Sequence, residues 1–219
     1  MAAMAPRTRL VLIRHSESNA QVAGLVSGHD TCTGLSERGV EQARVLAAHL
    51  AQCGDLADAD VVYTSLLLRA QQTASAIAEA VGSPPVHASC AWCEIHPGVA
   101  EGLTWDEMRI RFPPVGNADD PVARRLPEME TWAEMYERVG ESLNEAARKF
   151  AGGTVVAVTS GGPVGASFVT FGGETYERGI VRTRDTMNTS ITEWHFVDNT
   201  WRLLRHGDTP HMDRPPKKS

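Results

Sequence analysis

Three short stretches hold the side chains best suited to grip and attack a phosphoryl group. Arg14 and His15 close the run RLVLIRH, Ser65 to Arg69 follow the run VVYT, and Ser160, Gly161 and Gly162 follow VVAVT. A phosphoryl group demands fixed positive charge and planar paired donors, which arginine supplies better than lysine. A neutral imidazole nitrogen attacks phosphorus readily near neutral pH, so His15 beside Arg14 is the candidate nucleophile. Arg69, early in its helix, would complete the clamp. Gly161 and Gly162 ahead of a further helix offer backbone N–H groups and a positive dipole end to the same anion. Each of these has a structural explanation when taken singly: a strand-ending pair, an arginine with its stem packed on a sheet, a glycine turn. Their convergence on one sheet edge is what points to a site.

The elements that must position them follow from pattern. Residues 9–14 read as a buried strand and 15–35 as a long functional loop. A helix begins at Ser36 with Val40, Ala43, Ala47 and Leu50 on its apolar face. Residues 60–65 form a second strand, and 66–81 a helix carrying Ala70, Ala74, Ile77 and Val81 inward. TWDE (104–107) and TWAE (131–134) each set Thr three residues before Glu, the capping-box pattern that starts a helix. The second of these helices runs to about Phe150. Between them, 109–130 is rich in proline and turn formers and reads as a lid-like surface loop. A strand over 154–159, a helix from about Pro163, and strands near 189–197 and 200–205 complete the chain. Strands alternating with helices imply a three-layer α/β/α fold with a mainly parallel central sheet. Such sheets bind ligands beyond the C-terminal ends of their strands, where the residues above fall. With no repeat and no dividing linker, residues 1–219 read as one domain, frayed at 1–8 and 213–219.

Bulk properties narrow the partners. A formal net charge of −6 excludes a nucleic-acid binder that relies on a basic face, so any anion must be held by a local arginine or histidine cluster. No apolar run approaches the roughly 18 residues of a membrane span. RLVLIRH is too short for a signal-peptide core, so a cytoplasmic location is expected. Of Cys32, Cys53, Cys90 and Cys93, the last two form a lone C-x-x-C. A zinc site wants four ligands, and no second pair stands at suitable spacing, so free thiols and no metal are expected.

Several stretches, in order, resemble the histidine phosphatase superfamily, the phosphoglycerate mutase-like proteins. LIRHSESNAQ resembles its first motif R-H-G-E, GHDTCTGLSERGVEQA its loop and first helix, and YTSLLLRAQQTA its S-x-L-x-R-A-x-Q-T segment. CEIHPGVAEGLTWDEM resembles the stretch that holds the family's proton donor, VVAVTSGGPV stands in place of V-S-H-G-G, and MNTSIT and HGDTPHM resemble its closing segments. The resemblance spans roughly 9–212. It implies a phosphoglycerate mutase-like fold and a transiently phosphorylated His15. Arg14 and Arg69 would bind phosphoryl oxygens, and Glu94 would protonate the leaving alkoxide and then activate water. The apolar neighbours Trp92 and Ile95 are expected to favour the protonated carboxyl. No cofactor or metal is implied; the partner is a small phosphorylated substrate or inorganic phosphate, and a homodimer is compatible.

Three departures sit at the centre of the pattern. Ser160 replaces the family's second histidine and keeps a hydrogen-bond donor, but a shorter one that is always neutral. Ser16 replaces a glycine and is tolerated where the backbone does not need positive φ. Gln21 replaces a phosphate-contacting asparagine and reaches further. His96 and His29 are candidates to stand in for the missing ring. These changes make a phosphomonoesterase of reduced or altered activity the leading expectation. A silent pseudo-phosphatase that binds a phosphorylated ligand is the alternative, and a phosphoglycerate-type mutase ranks lower.

Overall fold

The first strand, β1 (Thr8–Arg14), is apolar on both faces, which places it inside a sheet covered on both sides. In the computed structural model, which describes residues 7–113, 120–175 and 186–212, it is flanked by β4 (Thr154–Thr159) and β5 (Ile191–Val197). The sheet has six strands in the order β3-β2-β4-β1-β5-β6, with β2 at Val61–Thr64, β3 at Val86–Ala88 and β6 at Thr200–Asp208. Strands β1 to β4 run parallel, β5 is antiparallel to β1, and β6 is antiparallel to β5. Asp198 and Asn199, both at positive φ, make the tight turn between β5 and β6.

Alternation along the central strands divides the core in two. Leu10, Leu12, Val155 and Ala157 face α5 (Trp132–Lys149) and α6 (Gly161–Phe171). Val11, Ile13, Val156 and Val158 face α2 (Glu37–Cys53) and α3 (Leu68–Ile77). The expected three layers are therefore present, around a mixed but mostly parallel sheet. Two short helices, α1 (Asn19–Val22) and α4 (Trp105–Arg111), lie in the connections. Both TWDE and TWAE form complete capping boxes, with Thr104 on Glu107 N–H and Thr131 on Glu134 N–H. No helix of the described residues is long and apolar enough to cross a membrane.

Several boundaries differ from the pattern-based expectation. The buried face of α2 is Gly39, Gln42, Ala43, Leu46 and Leu50, and Val40 is exposed. The cause is local: a Cβ at Gly39 would lie 1.9 Å from the Glu17 carbonyl oxygen, so the helix seats Gly39 there and turns Val40 outward by about 100°. The helix expected over 66–81 is α3 plus a 3₁₀ turn, Glu79–Val81, ended by Gly82 at φ 90°; Ala70, Ala74, Ile77 and Val81 are buried as expected. Helix α6 starts at Gly161, two residues before Pro163. Thr8 is not frayed: it is buried and pairs with Phe196. Strand β3, three exposed residues on the sheet edge, carries no apolar pattern and was not expected. Within 109–130, Leu126 is buried beside Val26 and Ala100. Residues 1–6, 114–119 and 213–219 of the segments read as frayed or lid-like lie outside the described residues.

Candidate active site

Parallel pairing sets the geometry. Arg14 on β1 stands opposite Thr159 on β4, and the His15 N–H continues the ladder to the Thr159 carbonyl at 2.8 Å. The chain ends after β1 and β4 are thus side by side, and β2 ends beside them, with Ser65 N–H on the Val158 carbonyl at 3.3 Å. The three sequence-selected stretches meet at one edge because three adjacent strands point the same way.

His15 is buried and oriented by its own backbone. Its Nδ1 lies 2.7 Å from the Ser16 carbonyl, to which only an N–H can donate, so Nε2 carries the free lone pair. Arg69 Nε donates to that Nε2 at 3.1 Å. Burial first, then the positive charge of Arg69, hold the imidazole well below the usual histidine range, and it is neutral near pH 7. The amide of Asn188 donates to the His15 carbonyl at 2.9 Å.

Helix α3 serves the site at three positions. Arg69 also donates to Ser27 Oγ at 3.3 Å and to Cys32 Sγ at 3.5 Å. Gln72 accepts from the Leu35 N–H at 2.8 Å, and Thr73 accepts from the Ser16 N–H at 3.1 Å. One face of α3 therefore fixes both the loop after β1 and the residue beside His15. Glu101 anchors the far end of that loop, accepting from the N–H groups of Asp30 and Thr31 at 2.7 and 3.0 Å.

Arg14 donates to the Thr186 carbonyl, and its Nε is buried with no hydrogen-bond partner among the described residues. Burial chiefly lowers its pKa from the usual arginine value; Arg69 adds in the same sense and Glu94 opposes. Arg14 thus feels both Arg69 and Glu94. Glu94 accepts from the Gly162 N–H at 2.9 Å and from the Ile95 N–H at 3.0 Å. What meets its carboxylate is polar backbone, while the expected apolar neighbour Trp92 turns into the core and stacks on Tyr63. Thr159 Oγ1 donates to the Trp92 carbonyl at 2.6 Å, which ties the Glu94 segment to β4.

Ser160 is buried at the N-cap of α6, yet its hydroxyl makes no cap bond and has no partner among the described residues. The Ser16 hydroxyl is likewise buried and unpartnered among them, and Ser16 is not among the residues at positive φ, as its substitution for glycine requires. Gly161 opens α6, with open space around its Cα. Gln21 turns its side-chain oxygen to the Ser18 N–H and the Asn188 amide, so it caps α1 and steadies Asn188. His29 and His96 do not turn to His15: Nε2 of each faces Cys90 Sγ, at 3.3 and 3.1 Å. All four cysteines are free, and burial chiefly pushes the Cys93 thiol up to about 12. Ser27, Cys32, Thr73 and Asn188 were not singled out from the sequence. Cys32, Thr73 and Asn188 lie inside GHDTCTG, YTSLLLRAQQTA and MNTSIT, stretches already quoted for their family resemblance, and Ser27 stands immediately before the first of them.

The chain is similar over most of its length to known proteins. A metal-independent phosphoserine phosphatase of Arabidopsis thaliana is 28% identical over 208 residues, covering 94% of this chain and 83% of that protein. A probable phosphoglycerate mutase of Serratia proteamaculans is 28% identical over 216 residues, covering 94% and 96%. Among solved structures, YhfR of Bacillus stearothermophilus superposes with a TM-score of 0.83 at 24% identity, covering 94% of this chain and all of that one. Shared fold alone would say nothing of chemistry, but the sequence itself matches the pattern of one family from Leu10 in β1 to Thr209 beyond β6. The chain belongs to the histidine phosphatase superfamily, branch 1.

Proposed function

We propose that this protein is a phosphomonoesterase that works through a phosphohistidine at His15 on a small phosphorylated metabolite. The observation that carries the reading is the buried, neutral His15 with its Nε2 lone pair held on Arg69. A phosphoryl oxygen would take over that arginine donor. Nε2 then attacks phosphorus, the P–O ester bond breaks, and Glu94 delivers its proton to the leaving alkoxide. In the second half, Glu94 takes a proton from water, the resulting oxygen attacks phosphorus, and the N–P bond breaks to release inorganic phosphate. Arg14 and Arg69 balance the phosphoryl charge, while Ser160, Gly161 and Gln21 line the approach. The chemistry needs no cofactor and uses residues of one chain, so pairing into a homodimer would leave it unchanged. The names of the relatives favour a phosphorylated hydroxy or amino acid as substrate, and free cysteines suit a cytoplasmic setting.

The unpartnered Ser160 hydroxyl favours a second reading, a pseudo-phosphatase that binds phosphate without turning it over. A missing preorganised donor of this kind costs about 10²–10³-fold in rate. Phosphate release from an aryl phosphate and from phosphoserine, run with wild type, His15→Ala and Ser160→His, separates the two. Wild-type turnover that His15→Ala abolishes, with a gain of about 10²-fold in Ser160→His, is the expected result. Ligand binding with neither turnover nor a labelled phosphohistidine would establish the binder instead.

A further inference from the structure

Cys90 and Cys93, the C-x-x-C that lacks a second pair in the sequence, acquire one in space. The side-chain donor atoms of His29, Cys90 and Cys93 all lie within 4.8 Å of one another. His96 stands beside Cys90, with its Nε2 3.1 Å from Cys90 Sγ. We propose that His29, Cys90, Cys93 and His96 form a structural site for a divalent cation of borderline softness, zinc above all, separate from the phosphoryl chemistry at His15.

The donor type fits, and the spacing fits around Cys90. Two thiolates and two imidazoles are a zinc set, and tetrahedral coordination at ordinary bond lengths puts sulfur and nitrogen donors about 3.5 Å apart. The two Cys90 sulfur-to-imidazole distances, 3.3 and 3.1 Å, are a few tenths of an ångström short of that edge. His96 also has the partner that metal-binding histidines usually have. Its Nδ1 faces Glu130 Oε2 at 3.5 Å, which leaves Nε2 toward the sulfur as the coordinating nitrogen. Glu130 is in turn fixed by Arg138, through contacts of 2.8 and 2.7 Å. The same guanidinium donates to the carbonyls of Cys90 at 2.9 Å and Cys93 at 3.2 Å, so the turn that presents both thiols is braced from behind. His29 is exposed, which leaves a path for the ion.

The consequence for the enzyme is positional. Glu94 lies between Cys93 and His96, so an ion held by its neighbours would pin the backbone that carries it. His29 belongs to the loop whose Ser27 contacts Arg69, so the ion would fasten that loop to the Glu94 segment.

Cobalt titration of the reduced full chain tests this, because thiolate-bound tetrahedral cobalt has intense visible bands and a sulfur charge-transfer band that octahedral cobalt lacks. One equivalent per chain with both signatures, displaced by one equivalent of zinc, is expected. Cys90→Ser should remove the charge-transfer intensity in part and weaken binding, and Glu130→Gln should weaken it about 10–100-fold. Zinc should slow amide hydrogen exchange at 29–31 and 90–96 in wild type and not in Cys90→Ser, a readout independent of turnover and of the folding of any single variant. Weak octahedral cobalt spectra, or binding unchanged by Cys90→Ser, would overturn the proposal. So would a Cys90–Cys93 disulfide forming in place of metal uptake when the reduced chain is exposed to air with zinc present.

Discussion

At the residue scale, His15 owes its neutral state to burial and to Arg69, and this has a pH signature. Because the folded value is depressed, the imidazole remains unprotonated as pH falls through about 6.5, where an ordinary histidine gains its proton. With an activated aryl phosphate, whose leaving group needs no proton from Glu94, single-turnover phosphoenzyme formation should therefore hold its rate between pH 8 and 6 when corrected for substrate ionisation. A half-point at the ordinary histidine value would contradict the burial argument. Replacing Arg69 by Met removes a repelling charge, so the NMR titration of His15 should move upward in that variant. His15 as the candidate nucleophile was noticeable in the sequence, since an arginine-histidine pair at a strand end needs only local pattern. The fixed Nδ1–H was not, because it depends on where the Ser16 carbonyl turns.

At the scale of elements, the site is a junction between the start of α6 and the loop after β3. A Cβ at Gly162 would lie 2.0 Å from Glu94 Oε1, so this glycine is required by close approach and not by its own backbone angle. Gly162→Ala should displace the Glu94 carboxylate and lower kcat at least about tenfold, with little loss of phosphate affinity, since Arg14 and Arg69 stay in place. Inhibition by inorganic phosphate against kcat, measured on the same preparation, checks that split. The Gly-Gly pair was read from the sequence as a cradle for the anion; Gly162 in fact serves Glu94. The miss has a physical cause: the contact spans 68 residues, and no local pattern records it. The exposed Val40 has the opposite lesson. There Ala43 and Leu50 are buried as expected, and Val40 alone turns out to solvent, because a single close contact at Gly39 outweighed one apolar side chain.

For the whole molecule, the antiparallel side of the sheet is fastened by a buried carboxylate. Glu193 on β5 accepts from Arg9 at 2.9 Å and Arg205 at 3.0 Å, and both arginines also reach Asp55. Desolvation alone would raise the Glu193 pKa, but the bonds from His195 and Arg9 and the two arginine charges outweigh it and hold it below the usual range. Its contribution to stability is thus full above the unfolded carboxyl value and is lost as pH falls through the depressed folded value. Glu193→Ala takes from two arginines their buried partner and leaves them Asp55, and should cost about 1–3 kcal/mol in urea unfolding at pH 7. The difference from wild type should shrink in acid; an undiminished difference would assign the loss to packing instead.

What the sequence determined by itself was the type and order of the central elements, because strand alternation, capping boxes and buried apolar runs are local signals. The same local order carried Arg14, His15 and Arg69 to one sheet edge, since parallel strands put every strand end on the same side. Only the tertiary structure decided what each side chain meets there. The turn of His29 and His96 toward Cys90, the seat of Glu94 on α6 and the unpartnered Ser160 all arise between segments far apart in the chain. Those contacts are set by how the loops pack once the sheet has formed, and packing, unlike period, leaves no trace in the spacing of residues.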